Sequence, residues 1–582
     1  MCMKSINAFF LYCILLLLII LGCKDVVTTV IQPRPHIESM FAINGNQTVT
    51  LGWTGILYGT AVELQIHRSL DSNFIPSNQT ILTTISSSDT LYTDNGLTNG
   101  TRYYYSVVPI EKLSGGVKRP GTSYARSMAR PYNYNTITDI KFSEHIQPIF
   151  QSSCGTNGCH DGSNSEAPRF REWEDFFKGG PHGAIVVPYR GNKSHVIYHM
   201  NTDTLLAPVS SPHMPLNGFN VPTNQVQLIK RWIDEGASND EGAVAFSISS
   251  KGKLLVANQA DDLVTVIDIA TNMVMRCVQA GDTVRPNQIP SAPHHVRADA
   301  QGKYFYVTLI NSQELWKFSV ATHEFIQKVS VPPSPADVIL TSTGDTAIVT
   351  NFSATTQIAA LIDTRTMQVI KTFPIPPLVS FSHGALLSHD GKRLYTTNQS
   401  SGNLTQINLS DGSMDIIALD TSGARTSFTQ PYLSDESPDG RFIYTACNST
   451  NDVRMVDRTI DSTRATRIIP VGVRPLHVKV SPDGQYIISA NQGSDNITFI
   501  NASDYSTTTI SGIAHQPHGI EFSPDGAFLY ISCENRTEII PPHHPTSGSK
   551  ISGYVTVIDY ATKTVIKSIE VGAFAAGISV VK

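Results

Sequence analysis

Two cysteines and a histidine in the stretch "CGTNGCH", residues 154–160, are the side chains best equipped for chemistry in this 582-residue sequence. Cys154 and Cys159 enclose four residues, and His160 follows directly. The two thiols can close a small disulfide loop. With the imidazole they can hold zinc, although no second paired ligand cluster follows at a zinc-ribbon spacing. They can also form thioethers to the two vinyl groups of a haem while the adjacent imidazole ligates its iron. In a C-x-x-C-H stretch both thiols and the imidazole turn toward one porphyrin face, so the two extra residues here must bulge outward. Gly155, Asn157 and Gly158 tolerate such a bulge. A sixth iron ligand would come from across the ring, and Met214 in the proline-stiffened loop "SPHMP" is the leading candidate, with His213 second.

Helices on either side must position these groups. In "FSEHIQPIFQSS", Ile146, Ile149 and Phe150 recur at helical spacing just before Cys154. In "TNQVQLIKRWIDEGA", Val226, Ile229, Trp232 and Ile233 share one side, and Gly236 is placed to end the helix. The order "IQPIFQSSCGTNGCH", "VPYRGNKSHVIYHM", "HMP" and "LIKRWIDEGA" resembles cytochrome c-like domains. The resemblance implies a small all-α haem domain over residues 138–240 with one covalent haem c. It assigns Cys154 and Cys159 to the thioethers, His160 to the proximal position and Met214 to the distal one, with Trp232 behind the haem. The wider cysteine spacing is the departure from the family pattern. His145, His182, His195 and His199 could approach the haem propionates or iron, but are read as surface or hydrogen-bonding residues.

From residue 243 to 582 one phrase repeats. "SAPHHVRADAQGKYFYVTL", "FSHGALLSHDGKRLYTTNQ", "RPLHVKVSPDGQYIISANQ" and "HQPHGIEFSPDGAFLYISC" are variants of a single unit of strand pairs turning at "PDG" or "HDG". Its period of about 40–45 residues is that of a propeller blade, which cannot bury both faces alone. Seven units are counted, and "AGISVVK", residues 576–582, reads as a spare strand that completes the first blade and removes its free edge. These units resemble the YVTN family of bacterial beta-propellers. Equivalent positions of the units carry His294, His295, His383, His477 and His518, which a propeller would bring to one mouth of its channel. Such a ring could bridge blades by hydrogen bonds, bind an additional metal, or recognise a ligand. Asp268, Asp363 and Asp559 recur in "VIDIAT", "LIDTRT" and "VIDYAT" as turn-capping residues.

Residues 36–134 alternate apolar and polar positions in "TVTLGWTG", "AVELQIHRS" and "TRYYYSVVPI". The pattern resembles a fibronectin type III β-sandwich, with Trp53 in its core and Tyr103 near the tyrosine corner. Residues 1–22 carry Lys4 and an apolar run, and "ILGC" resembles a bacterial lipobox. That implies a signal peptide, lipidation at Cys23, a tether over 23–35 and anchorage in the cell envelope, with the outer membrane favoured.

The expected architecture is therefore multidomain and mainly β: a sandwich, a small all-α domain and a seven-bladed propeller. A net charge of -5 gives no electrostatic reason for a nucleic-acid partner. No GxSxG element, phosphate loop or dinucleotide fingerprint occurs. The leading functional expectation is a membrane-anchored electron carrier with one haem, exchanging electrons with a redox protein or a small molecule while the propeller docks a ligand. The alternatives are an oxidoreductase whose active site is in the propeller and whose electrons leave through the haem, or a haem-free surface binding scaffold.

Overall fold

A computed structural model describes residues 34–57, 61–121, 125–154, 159–160, 162–163, 167–180, 183–216, 219–247, 251–282, 289–355, 357–537, 540 and 551–581. The expected signal segment, Cys23, the bulge residues Gly155, Asn157 and Gly158, and residues 541–550 of the late insertion lie outside them. Among the described residues no helix is long and apolar enough to cross a membrane. The chain divides into two compact units, one within Met1–Ala42, Thr48–Gly96 and Thr101–Ala129, the other within Ile43–Gln47, Leu97–Gly100 and Arg130–Lys582.

The first unit is all β. His36–Asn44, Thr48–Leu57 and Leu91–Asn95 form one sheet; Ile81–Ser86, Ala61–Ser69, Tyr103–Lys112 and Lys118–Pro120 form the other, with Ala125–Ala129 also paired to Tyr103–Lys112. Alternation puts Val49, Leu51, Trp53, Leu64, Ile66 and Val107 inside. Trp53 satisfies its buried indole by donating to the Asp89 carbonyl at 3.0 Å. The buried tyrosine is Tyr105 rather than Tyr103. Its hydroxyl donates to Asp94 Oδ2 at 2.8 Å, and Arg68 holds the same carboxylate. Tyr103, two residues earlier on the same strand, is half-buried beside Arg68.

The second unit starts with a small helical region. A π turn at Phe142–Ile146 runs into the helix Gln147–Ser153, which ends at Cys154. The amphipathic helix Thr223–Asp234 buries Val226, Ile229, Trp232 and Ile233, and Gly236 adopts φ +112° just past its end, where L side chains are strained. Trp232 packs against Phe142 and Phe176 and donates its indole N–H to the Ser238 carbonyl at 2.9 Å. Between them lies a third short helix, His195–Met200.

Seven four-stranded antiparallel sheets complete the unit. Their innermost strands are Ala575–Val581, Pro293–Ala298, Pro335–Leu340, Ser382–Leu387, Pro431–Glu436, Pro475–Val480 and Pro517–Phe522, each touching the next in a closed ring. The first blade takes Lys253–Asn258, Leu263–Asp268 and Met273–Gln279 from its beginning and Ala575–Val581 from the far end of the sequence. The turns explain the repeated phrase. Ser388, Ser437, Ser481 and Ser523 donate to Asp390, Asp439, Asp483 and Asp525 at 2.5–2.6 Å, and the following Gly391, Gly440, Gly484 and Gly526 sit at φ +68° to +71°. Only glycine adopts that conformation without steric cost. Asp268, Asp363 and Asp559 likewise accept backbone N–H groups two or three residues on. Blades pack on one another through interleaved apolar side chains, as where Val264 and Val266 of the first blade join Phe305 and Phe318 of the second in one buried cluster.

Candidate functional site

The helical region encloses an apolar cleft of about 300 Å³, about 980 Å³ with the space open to solvent, within the range of small-molecule and cofactor sites. The helix Gln147–Ser153 delivers Phe150 and Cys154 to its wall, and Phe170, Ile185, Val196 and Met200 supply more of it. His160 and Met214 line the same cleft, so three of the four residues singled out by sequence meet there. The fourth, Cys159, is exposed. Both cysteines are free thiols, and burial, with the neighbouring Cys159, pushes the Cys154 thiol up to about 12.

His160 is fixed by its backbone. Its Nδ1–H donates to the Pro168 carbonyl at 2.6 Å, which sets the tautomer and gives Nε2 the lone pair. Burial lowers the pKa of this imidazole, so it is neutral at physiological pH. Met214 is held by its own backbone N–H, which donates to the His199 carbonyl at 2.7 Å, while His199 Nδ1–H donates to the Pro212 carbonyl at 2.8 Å. From sequence, His195 and His199 can approach a haem but are read as surface or hydrogen-bonding residues; the structure places both on the wall of the cleft. His213 Nε2 is buried without a hydrogen-bond partner. Among the described residues the lining is mostly apolar and holds no carboxylate, which suits an apolar ligand.

The propeller gathers its histidines at the start of the inner strands. A register shift just after the first residue of each strand lets two successive side chains face the channel. His294 and His295 accordingly lie side by side, ring centroids 5.0 Å apart, with His383 at 5.3 Å and His518 at 5.6 Å from His294. His294 Nε2 is 3.1 Å from His383 Nε2. Tyr432 packs on His383 at 3.8 Å, and its hydroxyl is 3.0 Å from His518 Nε2. Burial lowers three of these imidazoles, reinforced by neighbouring histidines: His294 and His518 well below the usual value and His383 to about 3.

His477 stands apart from that group. It follows Leu476 at the position equivalent to His295, not His294, and its Nδ1 accepts the Ile520 N–H at 2.9 Å. The single ring expected from sequence is thus two layers. The layer of His295 and His477 also holds Asp337, whose Oδ1 is 2.7 Å from His295 Nδ1 and whose Oδ2 accepts the Ala385 N–H at 3.0 Å. Sequence reasoning missed Asp337; aligning the strand starts "PHH", "PAD", "SHG", "PYL", "PLH" and "PHG" would have revealed an acid beside the histidines. Beyond this layer the channel holds a cavity of about 310 Å³ lined by His295, Asp337, His477, Arg297 and Lys479. Glu521 lies 3.8 Å from Arg297 and 3.5 Å from Lys479. These groups suit a small polar ligand. Among the described residues no three His, Cys, Asp or Glu side chains form a ready metal-binding group.

No curated protein matches the sequence. Solved structures similar to it include two propeller-sized matches. A functionally unknown protein from Desulfotomaculum acetoxidans DSM 771 is 14% identical with a TM-score of 0.45, over 56% of this chain and 98% of that one. Kuenenia stuttgartiensis hydrazine synthase is 18% identical with a TM-score of 0.41, over 51% of this chain and 92% of that one. A family model matches residues 190–508, more than half of the sequence, and the chain belongs to the family described as lactonase, 7-bladed beta-propeller.

Proposed function

We propose that the chain is a haem-linked binding protein of the cell envelope: residues 138–240 carry one covalent haem c for electron transfer, and the propeller docks a ligand or redox partner. One observation carries the reading: Cys154, His160 and Met214, spread over sixty residues of sequence, line a single apolar cleft. When bound, the haem supplies a one-electron ferric and ferrous couple. His160 would hold it from one side, its Nε2 lone pair fixed by the Pro168 carbonyl. Cys154, a protonated thiol on the wall, would add across a vinyl group, and Met214 would face the iron from the loop anchored on His199. Phe150, Phe170 and Val196 would keep water from the ring. The first unit, with its three-stranded and five-stranded sheets, is read as a fibronectin type III-like spacer, and Cys23 as the lipid anchor.

The test is expression with a periplasmic cytochrome maturation system. The purified protein is expected to give a reducible Soret band and to keep its haem under denaturing electrophoresis, and Met214→Ala is expected to alter the reduced spectrum and the potential. Absence of covalent haem from folded protein made with competent maturation would overturn the reading. A second reading has its own support, since the family match runs from 190 to 508 and so takes in most of the propeller but begins partway through the helical region. In it the chain is a haem-free binding protein whose ligand occupies the channel cavity, and a haem-free sample that binds a small polar ligand, lost on Lys479→Ala, would favour it.

A further inference from the structure

We propose that the start of the propeller channel is a binding site for a divalent transition-metal ion, with His294, His295, His383 and His518 as its ligands. The site lies in a different domain from the haem cleft and stands independently of it. Four imidazoles from three inner strands are buried there, with centroid separations from His294 and His295 to the others of 5.0–6.2 Å.

Hydrogen bonds already select the ligating form of His294 and His295, whereas His383 donates its Nε2–H to His294 Nε2 at 3.1 Å and must move that proton to Nδ1 to ligate. His294 Nδ1–H donates to Gln259 Oε1 at 2.9 Å, and His295 Nδ1–H donates to the Asp337 carboxylate at 2.7 Å, so both Nε2 atoms carry lone pairs. A metal-bound histidine is held in this way, its second nitrogen donating to a carboxylate or amide that fixes the ring. Buried polar atoms nearly always have partners. Here His295 Nε2, His383 Nδ1 and His518 Nδ1 are buried without a hydrogen-bond partner.

Spacing supports the same conclusion. Two nitrogens 3.1 Å apart, as His294 Nε2 and His383 Nε2 are, subtend an angle of about 100° at an ion bound at about 2.0–2.1 Å from each. No three donors share one centre as they stand. Binding requires the His295 and His518 rings to turn toward the His294 and His383 pair. Asp337 behind His295 supplies negative charge against a dication. An all-imidazole set favours copper or zinc over magnesium or calcium, and the Irving–Williams order puts copper(II) first.

The test is a titration of chelator-stripped full-length protein with copper(II), followed by calorimetry and by electron paramagnetic resonance. One equivalent is expected to bind, with nitrogen hyperfine structure, in both the wild type and His160→Ala, which removes the imidazole of the other cleft. Replacing His294 and His383 together by Ala is expected to weaken binding at least about 100-fold, and Asp337→Asn by about 10–100-fold, the usual cost of losing an outer partner. If the double variant does not fold, Gln259→Leu takes its place and is expected to weaken binding by releasing the His294 tautomer. Less than one equivalent bound to folded wild type, or binding unchanged in the folded variants, would overturn the proposal.

Discussion

Replacing Asp337 by Ala should cost the propeller about 3–5 kcal/mol, and the figure follows from what the carboxylate ties together. Asp337 sits on the third blade's inner strand, 1% exposed. It accepts His295 Nδ1–H from the second blade, the Ala385 N–H from the fourth, and the Val338 N–H of its own strand. Alanine leaves the His295 and Ala385 donors buried and unpaired, at about 1–3 kcal/mol each. The two together amount to about 2–6 kcal/mol, which brackets the figure. Against a domain stability of about 5–15 kcal/mol the loss is large. A chain of several units does not unfold in one step, so the assay is hydrogen exchange of the inner-strand peptides, which reports the propeller's own opening free energy. Asp337→Asn keeps an acceptor and should lose less. A loss below about 1 kcal/mol in the Ala variant, with the fold intact, would refute the view that this carboxylate joins three blades. Burial alone would raise the Asp337 carboxyl, but the adjacent His295, its hydrogen bond and Arg297 outweigh it and hold the pKa well below the usual range. The stabilisation is therefore complete above the unfolded carboxyl range, near pH 4, and is lost as pH falls below it.

Three further outcomes are expected. Burial raises the Glu534 carboxyl to about 7, with Arg536 and Gln492 only partly opposing it, so the native state favours the protonated acid and loses stability as pH rises from about 4.5 through 7. Glu534→Gln should melt like the wild type at pH 5 and higher than it at pH 8; an equal difference at both pH values would contradict this. A Cβ on Gly577 would lie 2.6 Å from the His294 carbonyl oxygen and 2.6 Å from His295 Cα, both backbone atoms, so Gly577→Ala should lower the propeller's melting temperature and, in copper-loaded protein, broaden the resonance spectrum. Deleting residues 575–582 removes the buried Ile578 and Val581, about 1.5–3 kcal/mol each, and bares the edge of Lys253–Asn258. The truncated protein should elute as aggregate in size-exclusion chromatography, and a monomer with an unchanged melt would count against the closure described.

What could be read from the residues depended on whether the controlling interaction was local. The blade period, the Ser-x-Asp-Gly turns and the stop at Gly236 are set within a few residues, and the seven blades followed from them. The spare strand was legible because "AGISVVK" has the alternation of an inner strand without the partners of a full unit. The helix His195–Met200 was not, since six residues between polar and proline-rich stretches carry too little periodicity. The histidine layers were hidden by the register shift at each strand start, which cancels the alternation that a regular strand imposes. Asp337 and Gln259 went unnoticed as histidine partners because each comes from another blade. For the cleft, sequence named Cys154, His160 and Met214, whereas the carbonyls of Pro168 and His199 that orient them belong to no motif.

The pairing of Val581 with Lys253 joins positions more than three hundred residues apart. Until the last strand has been made, the first blade has three strands and the ring of inner strands is open between Pro517–Phe522 and Pro293–Ala298. The blade synthesised first is therefore the last to be completed. Such long-range closure is slow, because the loop entropy is spent before the contacts form. It also makes the ring a check on its own synthesis: a chain interrupted before Ala575 cannot bury the Lys253–Asn258 edge, so incomplete molecules are left with an open strand that distinguishes them from finished ones.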